Sequence, residues 1–126
     1  MGKLFLAGMG GFIGSALRYA VAGLVQNWSG SRFPLGTLAV NLIGCTAIGF
    51  LSYLAESRGI LSAEARVLIF IGILGGFTTF SAFGNETINL WRENENALAA
   101  ANVIGHVVLC LGAVSLSRAF AFQIWK

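Results

Sequence analysis

The sequence predicts an all-α membrane protein of four transmembrane helices, and three observations carry that prediction. Of the 126 residues, 56% are apolar and only 10% charged, against ~25% charged in an average soluble domain. Such a chain lacks the charged side chains needed to cover a water-exposed surface. Four mostly apolar stretches, over residues 4–26, 35–55, 66–91 and 97–122, each reach the ~20 residues that cross a ~30 Å hydrocarbon layer at 1.5 Å per residue. Short polar connections separate them, so neighbouring helices run antiparallel and the chain forms one four-helix domain with little outside the bilayer.

The first stretch starts after Lys3 and contains Ala20-Val21-Ala22, which imitates a signal-peptide cleavage site. Arg18 interrupts it just before that point, and three further apolar segments follow that a secreted soluble domain has no place for, so it reads as a helix. Gly10 with Gly14, and Gly11 with Ser15, have the small-xxx-small spacing that lets helix backbones approach closely. The cluster Gly8, Gly10, Gly11 and Gly14 also imitates a dinucleotide loop, but no strand precedes it and no acidic residue follows about 20 positions on. Residues Gln26 to Phe33 and the only proline, Pro34, close this element and open the next.

In the second stretch Thr37, Asn41 and Cys45 recur every four residues, and in the fourth Asn102, His106 and Cys110 do the same. Each set lies on one helix face. A polar side chain in lipid costs ~2.5 kcal/mol or more on insertion scales, so each stripe either lines a pathway or hydrogen-bonds to a neighbouring helix. Counted inward along alternating helices, Arg18, Asn41, Glu86 and Asn102 fall in one layer. Within it Arg18 and Glu86 are expected to neutralise each other or share a network.

The third stretch holds Gly75-Gly76-Phe77-Thr78-Thr79-Phe80-Ser81-Ala82-Phe83 near its middle. Two adjacent glycines cost ~1 kcal/mol each against alanine in a helix and invite an unwound turn. Non-helical backbone at membrane depth persists where protein or a water-lined cavity satisfies it, commonly at an ion or substrate site. A glycine hinge used for packing is the other reading. Phe80 and Phe83, three apart, share a face with Ser81 beside them, and ring edges carry positive charge suited to an anion. Core packing accounts for the same spacing.

Several function classes are excluded. Eight Lys and Arg against five acids give +3, but the basic residues stand singly at the ends of apolar runs, like membrane-edge anchors, so no nucleic-acid surface is expected. Their distribution places Lys3, Arg58, Arg66 and Lys126 on one side and Arg32 and Arg92 on the other, a weak positive-inside bias. Cys45 and Cys110 lie inside apolar segments and suggest no disulfide framework. His106 stands without a second histidine and reads as a packed, hydrogen-bonded side chain. No nucleophile, histidine and acid come together, so no enzyme is expected.

Taken together, Arg18-Tyr19, Gly36-Thr37-Leu38-Ala39-Val40-Asn41-Leu42-Ile43-Gly44 and Gly75-Gly76-Phe77-Thr78-Thr79-Phe80-Ser81 with Phe83 and Glu86 resemble the Fluc (CrcB) fluoride channels over essentially the whole chain. The resemblance implies a passive fluoride exporter of the bacterial inner membrane. It also implies an antiparallel homodimer in dual topology, with two fluoride pathways, a broken third helix and a central structural sodium ion. Asn41 would donate to fluoride along the path, Phe80 and Phe83 would supply ring edges, and Ser81 and Thr79 would add hydroxyls. The sodium would sit on the backbone carbonyls of Gly75 and Thr78 from both subunits. Asn102 and Cys110 would continue the track on the fourth helix, with Glu86 and Arg18 nearby. Ala82 and Gly84 depart from the family, which places hydroxyl residues around the second phenylalanine, and Cys110 is a weaker donor than the usual serine. Two other classes stand beside it: a proton-coupled multidrug exporter needs an acid in its first helix, which this chain lacks, and a non-transporting assembly subunit would use the polar stripes for packing alone.

Overall fold

A computed structural model of the chain describes residues 1–125, which leaves Lys126 and its assignment to one membrane side outside the described residues. The described chain is helical throughout: α1 (Gly2–Ser29), α2 (Leu35–Ser57), α3 (Ala63–Arg66), a π-helical stretch Val67–Leu74, α4 (Gly75–Phe77), α5 (Phe80–Arg92) and α6 (Asn96–Ile124). Four segments are long and apolar enough to cross a membrane, Gly2–Ser29, Leu35–Ser57, Ala63–Arg92 and Asn96–Ile124. This is a multi-pass membrane architecture.

Local chemistry sets the boundaries. α1 ends where Gly30 turns left-handed (φ 56°) and returns its N–H to the Gln26 carbonyl at 3.1 Å, a conformation that costs a residue with a Cβ. The Gln26 amide organises the connection. Its Nε2 donates to Ser31 O at 2.7 Å, and its Oε1 accepts the Gly36 N–H at 3.1 Å, in the first turn of α2 where intrahelical acceptors are missing. Ser62 caps α3 by accepting the Ala65 N–H at 3.1 Å, and Thr79 caps α5 in the same way from Ala82 at 3.1 Å.

Side-chain ties hold the connections on two opposite ends. Arg32 pairs with Glu95 at 2.5 Å and Glu93 at 3.3 Å, joining the α1–α2 and α5–α6 connections. At the other end Arg118 pairs with Glu56, and Arg66 donates to the Ala55 carbonyl. All three ion pairs are exposed to screening, so they serve to orient rather than to stabilise.

Between these ends α1 lies along the π-helical stretch and α4, while α2 packs on α6 and α5 also leans on α6. Small residues set the α1 contact. A Cβ on Gly10 would come within 2.8 Å of Gly72 Cα, one on Gly14 within 2.8 Å of the Phe77 nitrogen, and one on Gly76 within 2.7 Å of the Gly11 carbonyl. Backbone cannot move aside as a flexible side chain does. Gly14→Ala is therefore expected to destabilise the fold by about 1–3 kcal/mol through overpacking, whereas Gly8, with nothing within 4 Å of its hypothetical Cβ, should accept alanine. Thermal unfolding in detergent, read by loss of monodispersity, checks the pair; equal midpoints would show that the close approach is not real.

Burial is inverted relative to a water-soluble protein. Leu4, Phe5, Phe12, Val108 and Leu116 are exposed, while Thr37, Asn41, Asn102, His106 and Ser117 are buried, Asn102 completely. Hydrocarbon offers no penalty to exposed leucine and no partner to an exposed amide, so polar groups turn inward to each other.

Candidate functional site

The third span departs from helical geometry at Thr78 (φ −84°, ψ 159°) and Thr79 (φ −153°, ψ 116°). The unwound turn expected at Gly75-Gly76 is not there: both glycines belong to α4, and Gly75 has φ −64° and ψ −37°. The glycines act instead through size, since Gly76 fits against Gly11 and Ser15 of α1. Helical hydrogen bonding stops two residues later because Asn41 supplies a competing partner. Its Oδ1 accepts the Thr79 N–H at 2.7 Å and its Nδ2 donates to the Thr79 carbonyl at 2.9 Å. The side-chain amide thus imitates a neighbouring strand for one residue. As a result the Thr79 N–H, the i+4 donor that would otherwise close a bond on the Gly75 carbonyl, is diverted from the helix.

Around this point lie two cavities, and Thr79 lines both. The larger, of about 950 Å³, is bordered by Arg18, Thr37, Ser81 and Glu86. Thr37 donates its hydroxyl to Glu86 Oε1 at 2.6 Å, and Arg18 Nη1 donates to the Thr78 carbonyl at 3.3 Å. Arg18 and Glu86 border the same space, but each takes a different direct partner, so of the two expectations the direct pairing is absent, while both groups stay on one cavity as the shared-network alternative has it. A free carbonyl at Thr78 and a hydroxyl at Thr37 are nearer partners than the opposite charge. Ser81 reaches the Thr79 hydroxyl at 3.3 Å.

The second cavity, of about 440 Å³, is bordered by Asn41, Cys45, Phe80, Phe83, His106 and Cys110, with Gly75 and Thr78 at its edge. Two members of each four-residue stripe thus meet at one space from α2 and α6, while Thr37 borders the larger cavity and Asn102 borders neither. Phe80 and Phe83 lie with ring centroids 5.3 Å apart and planes at 57°, and Phe83 stacks on His106 at 4.4 Å and 41°. The two phenylalanines differ in exposure: Phe83 is 9% exposed and Phe80 81%. Only one of the two amide hydrogens of Asn41 is used in holding Thr79, and the residue borders this cavity.

Deeper toward α6, Asn102 donates to Thr87 Oγ1 at 2.9 Å, and Thr87 donates to the Phe83 carbonyl at 2.8 Å. His106 Nδ1 lies 3.0 Å from the Asn102 carbonyl, which can only accept, so Nδ1 carries the proton. Among the described residues three buried side-chain atoms lack a protein partner: Glu86 Oε2, Asn102 Oδ1 and His106 Nε2. Ala82 and Gly84 supply no hydroxyl, so those at the break belong to Thr78, which turns back to the Leu74 carbonyl at 2.9 Å, and to Thr79 and Ser81.

One contributor, Thr87, lies one turn beyond Phe83, a spacing that marks a shared face, but no motif points to it. His106 is hydrogen-bonded, as expected, and its place in the cavity wall matches the pathway alternative of its stripe.

Chemically, the second cavity offers an amide N–H, thiols and tilted aromatic rings in a space bounded by apolar side chains. Ring edges and N–H groups favour a small anion over a cation, and the low-dielectric walls strengthen both contacts.

Comparison with known proteins follows the same direction. A family model described as CrcB-like protein, Camphor Resistance (CrcB), matches residues 5–118. A protein of Methylobacillus flagellatus named fluoride-specific ion channel FluC is 49% identical over 112 residues, covering 88% of each chain. One from Methanosarcina acetivorans, named fluoride-specific ion channel FluC 1, is 41% identical over 124 residues, covering 98% of this chain and 94% of its own. A third, fluoride-specific ion channel FluC of Opitutus terrae, is 45% identical over 117 residues, covering 91% and 88%.

Proposed function

The chain belongs to the CrcB-like family, and from that premise we propose that it is a fluoride-specific ion channel and not an enzyme. It exports fluoride passively across the bacterial inner membrane and so protects against fluoride toxicity. The observation that carries this reading is the Asn41 amide, which pins Thr79 with two hydrogen bonds while lining the cavity that holds the Phe80 and Phe83 rings. Fluoride is small and strongly hydrated, so passage requires donors that replace its water shell. The second Asn41 N–H and the hydroxyls of Thr79 and Ser81 do so, and the ring edges of Phe80 and Phe83 continue the path toward Cys110 and Asn102. Glu86 and Arg18 border the wider vestibule on the other side of Thr79.

The working unit in this reading is an antiparallel homodimer with a broken third helix in each protomer. The exposure of Phe80, together with the apolar surface of α1 at Phe5 and Phe12, supports a partner that covers these rings. The weak charge bias supports insertion in both orientations. A structural sodium ion belongs to the same reading, and the residues fit it. Backbone carbonyls are the hard oxygen donors such a cation takes, and the Gly75 carbonyl is relieved of its usual helical donor by the Asn41–Thr79 bond. The carbonyls of Gly75 and Thr78 from both protomers would hold the ion, which would supply a fixed positive charge.

Fluoride efflux from proteoliposomes, measured with a fluoride electrode, is the direct test. Efflux is expected with fluoride and not with an equal load of chloride. Equal passage of both halides, or of neither, would remove the assignment.

A further inference from the structure

Cys45 and Cys110 sit four residues beyond Asn41 on α2 and beyond His106 on α6, and both border the 440 Å³ cavity. Both are free thiols and partly buried, and they line that one cavity from two helices packed against each other. Nothing in the channel reading requires a thiol at either position, and a thiol is a weak hydrogen-bond donor. Two thiols bordering one cavity from packed helices have a different capacity: they are soft ligands that select soft metal ions. The unpartnered Nε2 of His106, on a side chain only 6% exposed, borders the same cavity and adds to its preference for a soft electrophile. Among the described residues no group of three or more His, Cys, Asp or Glu is arranged to hold a metal. A two-coordinate ion is therefore the one that suits.

We propose that Cys45 and Cys110 form a two-thiol site for a soft, linearly coordinated metal ion, of which Hg(II) is the probe, and that occupation of this site closes the cavity. The step is a ligand exchange without oxidation: two R–SH and HgCl2 give R–S–Hg–S–R and two HCl. Two S–H bonds and two Hg–Cl bonds break, two Hg–S bonds form, and the protons leave with chloride. Mercuric chloride is neutral, so it reaches a site within the membrane without the charge penalty of a bare cation. Once in place the bridged metal fills space between Phe83 and Cys110 and ties α2 to α6. The closing effect rests on the fluoride-channel reading; the binding does not.

The experiment uses the full chain in detergent and in proteoliposomes. Mass spectrometry after exposure to limiting HgCl2 is expected to find one mercury per chain, with a gain of one mercury less two protons and no thiol left to alkylate. Fluoride efflux is expected to fall by about tenfold or more, as for any pore constriction filled by a bound ion, and to return on addition of a dithiol chelator. Cys45→Ser and Cys110→Ser, each compared with its own mercury-free efflux, should take up mercury on one sulfur only and release it to a monothiol. Two mercury ions per wild-type chain, each on a single cysteine, would overturn the site. A bridged mercury with undiminished efflux would overturn its position on the path. Absence of fluoride efflux before mercury is added would fail the channel reading instead, and leave the stoichiometry to decide the site.

Discussion

An Asn41→Ala protein is expected to lose fluoride efflux by at least about a hundredfold. The asparagine accepts the Thr79 N–H at 2.7 Å and donates to the Thr79 carbonyl at 2.9 Å, and it is itself buried. Alanine leaves both backbone groups without partners at membrane depth. Each orphaned group costs about 1–3 kcal/mol, so the pair costs roughly 2–6 kcal/mol. The chain has one inexpensive escape. Thr79 can rejoin the helix by giving its N–H to the Gly75 carbonyl, which would straighten the third span and swing Phe80 and Phe83 away from the cavity. A shift of about 3 kcal/mol between the two backbones corresponds to roughly a hundredfold in population, since each ~1.4 kcal/mol is tenfold. Asn41→Asp refines the result. It retains an acceptor for the Thr79 N–H, loses the donor to the Thr79 carbonyl and adds a negative charge to the path, so it should assemble better than Asn41→Ala and conduct no better. Efflux and detergent-stable assembly measured side by side check both. Wild-type efflux from Asn41→Ala would remove the clamp from the mechanism.

The second large effect concerns the rings, and here the two positions should differ in stability while agreeing in transport. Phe83 is 9% exposed and stacks on His106 at 4.4 Å, so Phe83→Ile changes the shape of a packed core and is expected to cost about 1–3 kcal/mol of stability. Phe80 is 81% exposed in the protomer, and the cost of Phe80→Ile to protomer folding should stay within ~0.5 kcal/mol. Both substitutions remove a positive ring edge and replace it with a methyl-covered surface that cannot stand in for water around an anion. Fluoride efflux should therefore fall sharply in both, by about tenfold or more for a lost contact of ~1.5 kcal/mol, with the dimer retained on size exclusion. If efflux is lost only in Phe83→Ile, in step with its stability, the rings act as packing and not as a path. If Phe80→Ile breaks the dimer while efflux per assembled dimer is unchanged, the exposed ring serves the interface alone.

Individual residues show where the sequence was informative and where it was not. The four spans were legible because hydropathy summed over about 20 residues is a property of composition, and lipid enforces it irrespective of packing. The polar stripes were legible for a related reason: Asn41, Asn102 and His106 are too costly to leave in lipid, so their four-residue spacing identified inward faces before any contact was known. The close contacts of Gly10 and Gly14 followed from spacing as well, and both do take backbone neighbours, whereas that of Gly76 did not and a Cβ on Gly11 would meet nothing within 4 Å. In contrast, the position of the backbone departure did not follow from glycine propensity. Gly75 and Gly76 are helical and Thr78 and Thr79 are not, because a hydrogen-bond competitor from another helix outweighs ~1 kcal/mol of local preference per glycine. Nor did charge complementarity find the partners of Arg18 and Glu86, which depend on which oxygen lies within 3.5 Å once the helices are packed.

The amino-acid sequence alone therefore determined that this chain has four helices long and apolar enough to cross a membrane, which faces turn inward, and to which family it is similar. These follow from one-dimensional sums and periodicities that the bilayer converts directly into structure. Tertiary packing decided which donor meets which acceptor: that one asparagine on α2 takes both backbone groups of Thr79, that two phenylalanines and a histidine stack beside it, and that two cysteines distant in sequence share a cavity. Hydrogen bonds and ring contacts act over a few ångströms between helices far apart in the chain, and no sum along the chain contains those distances.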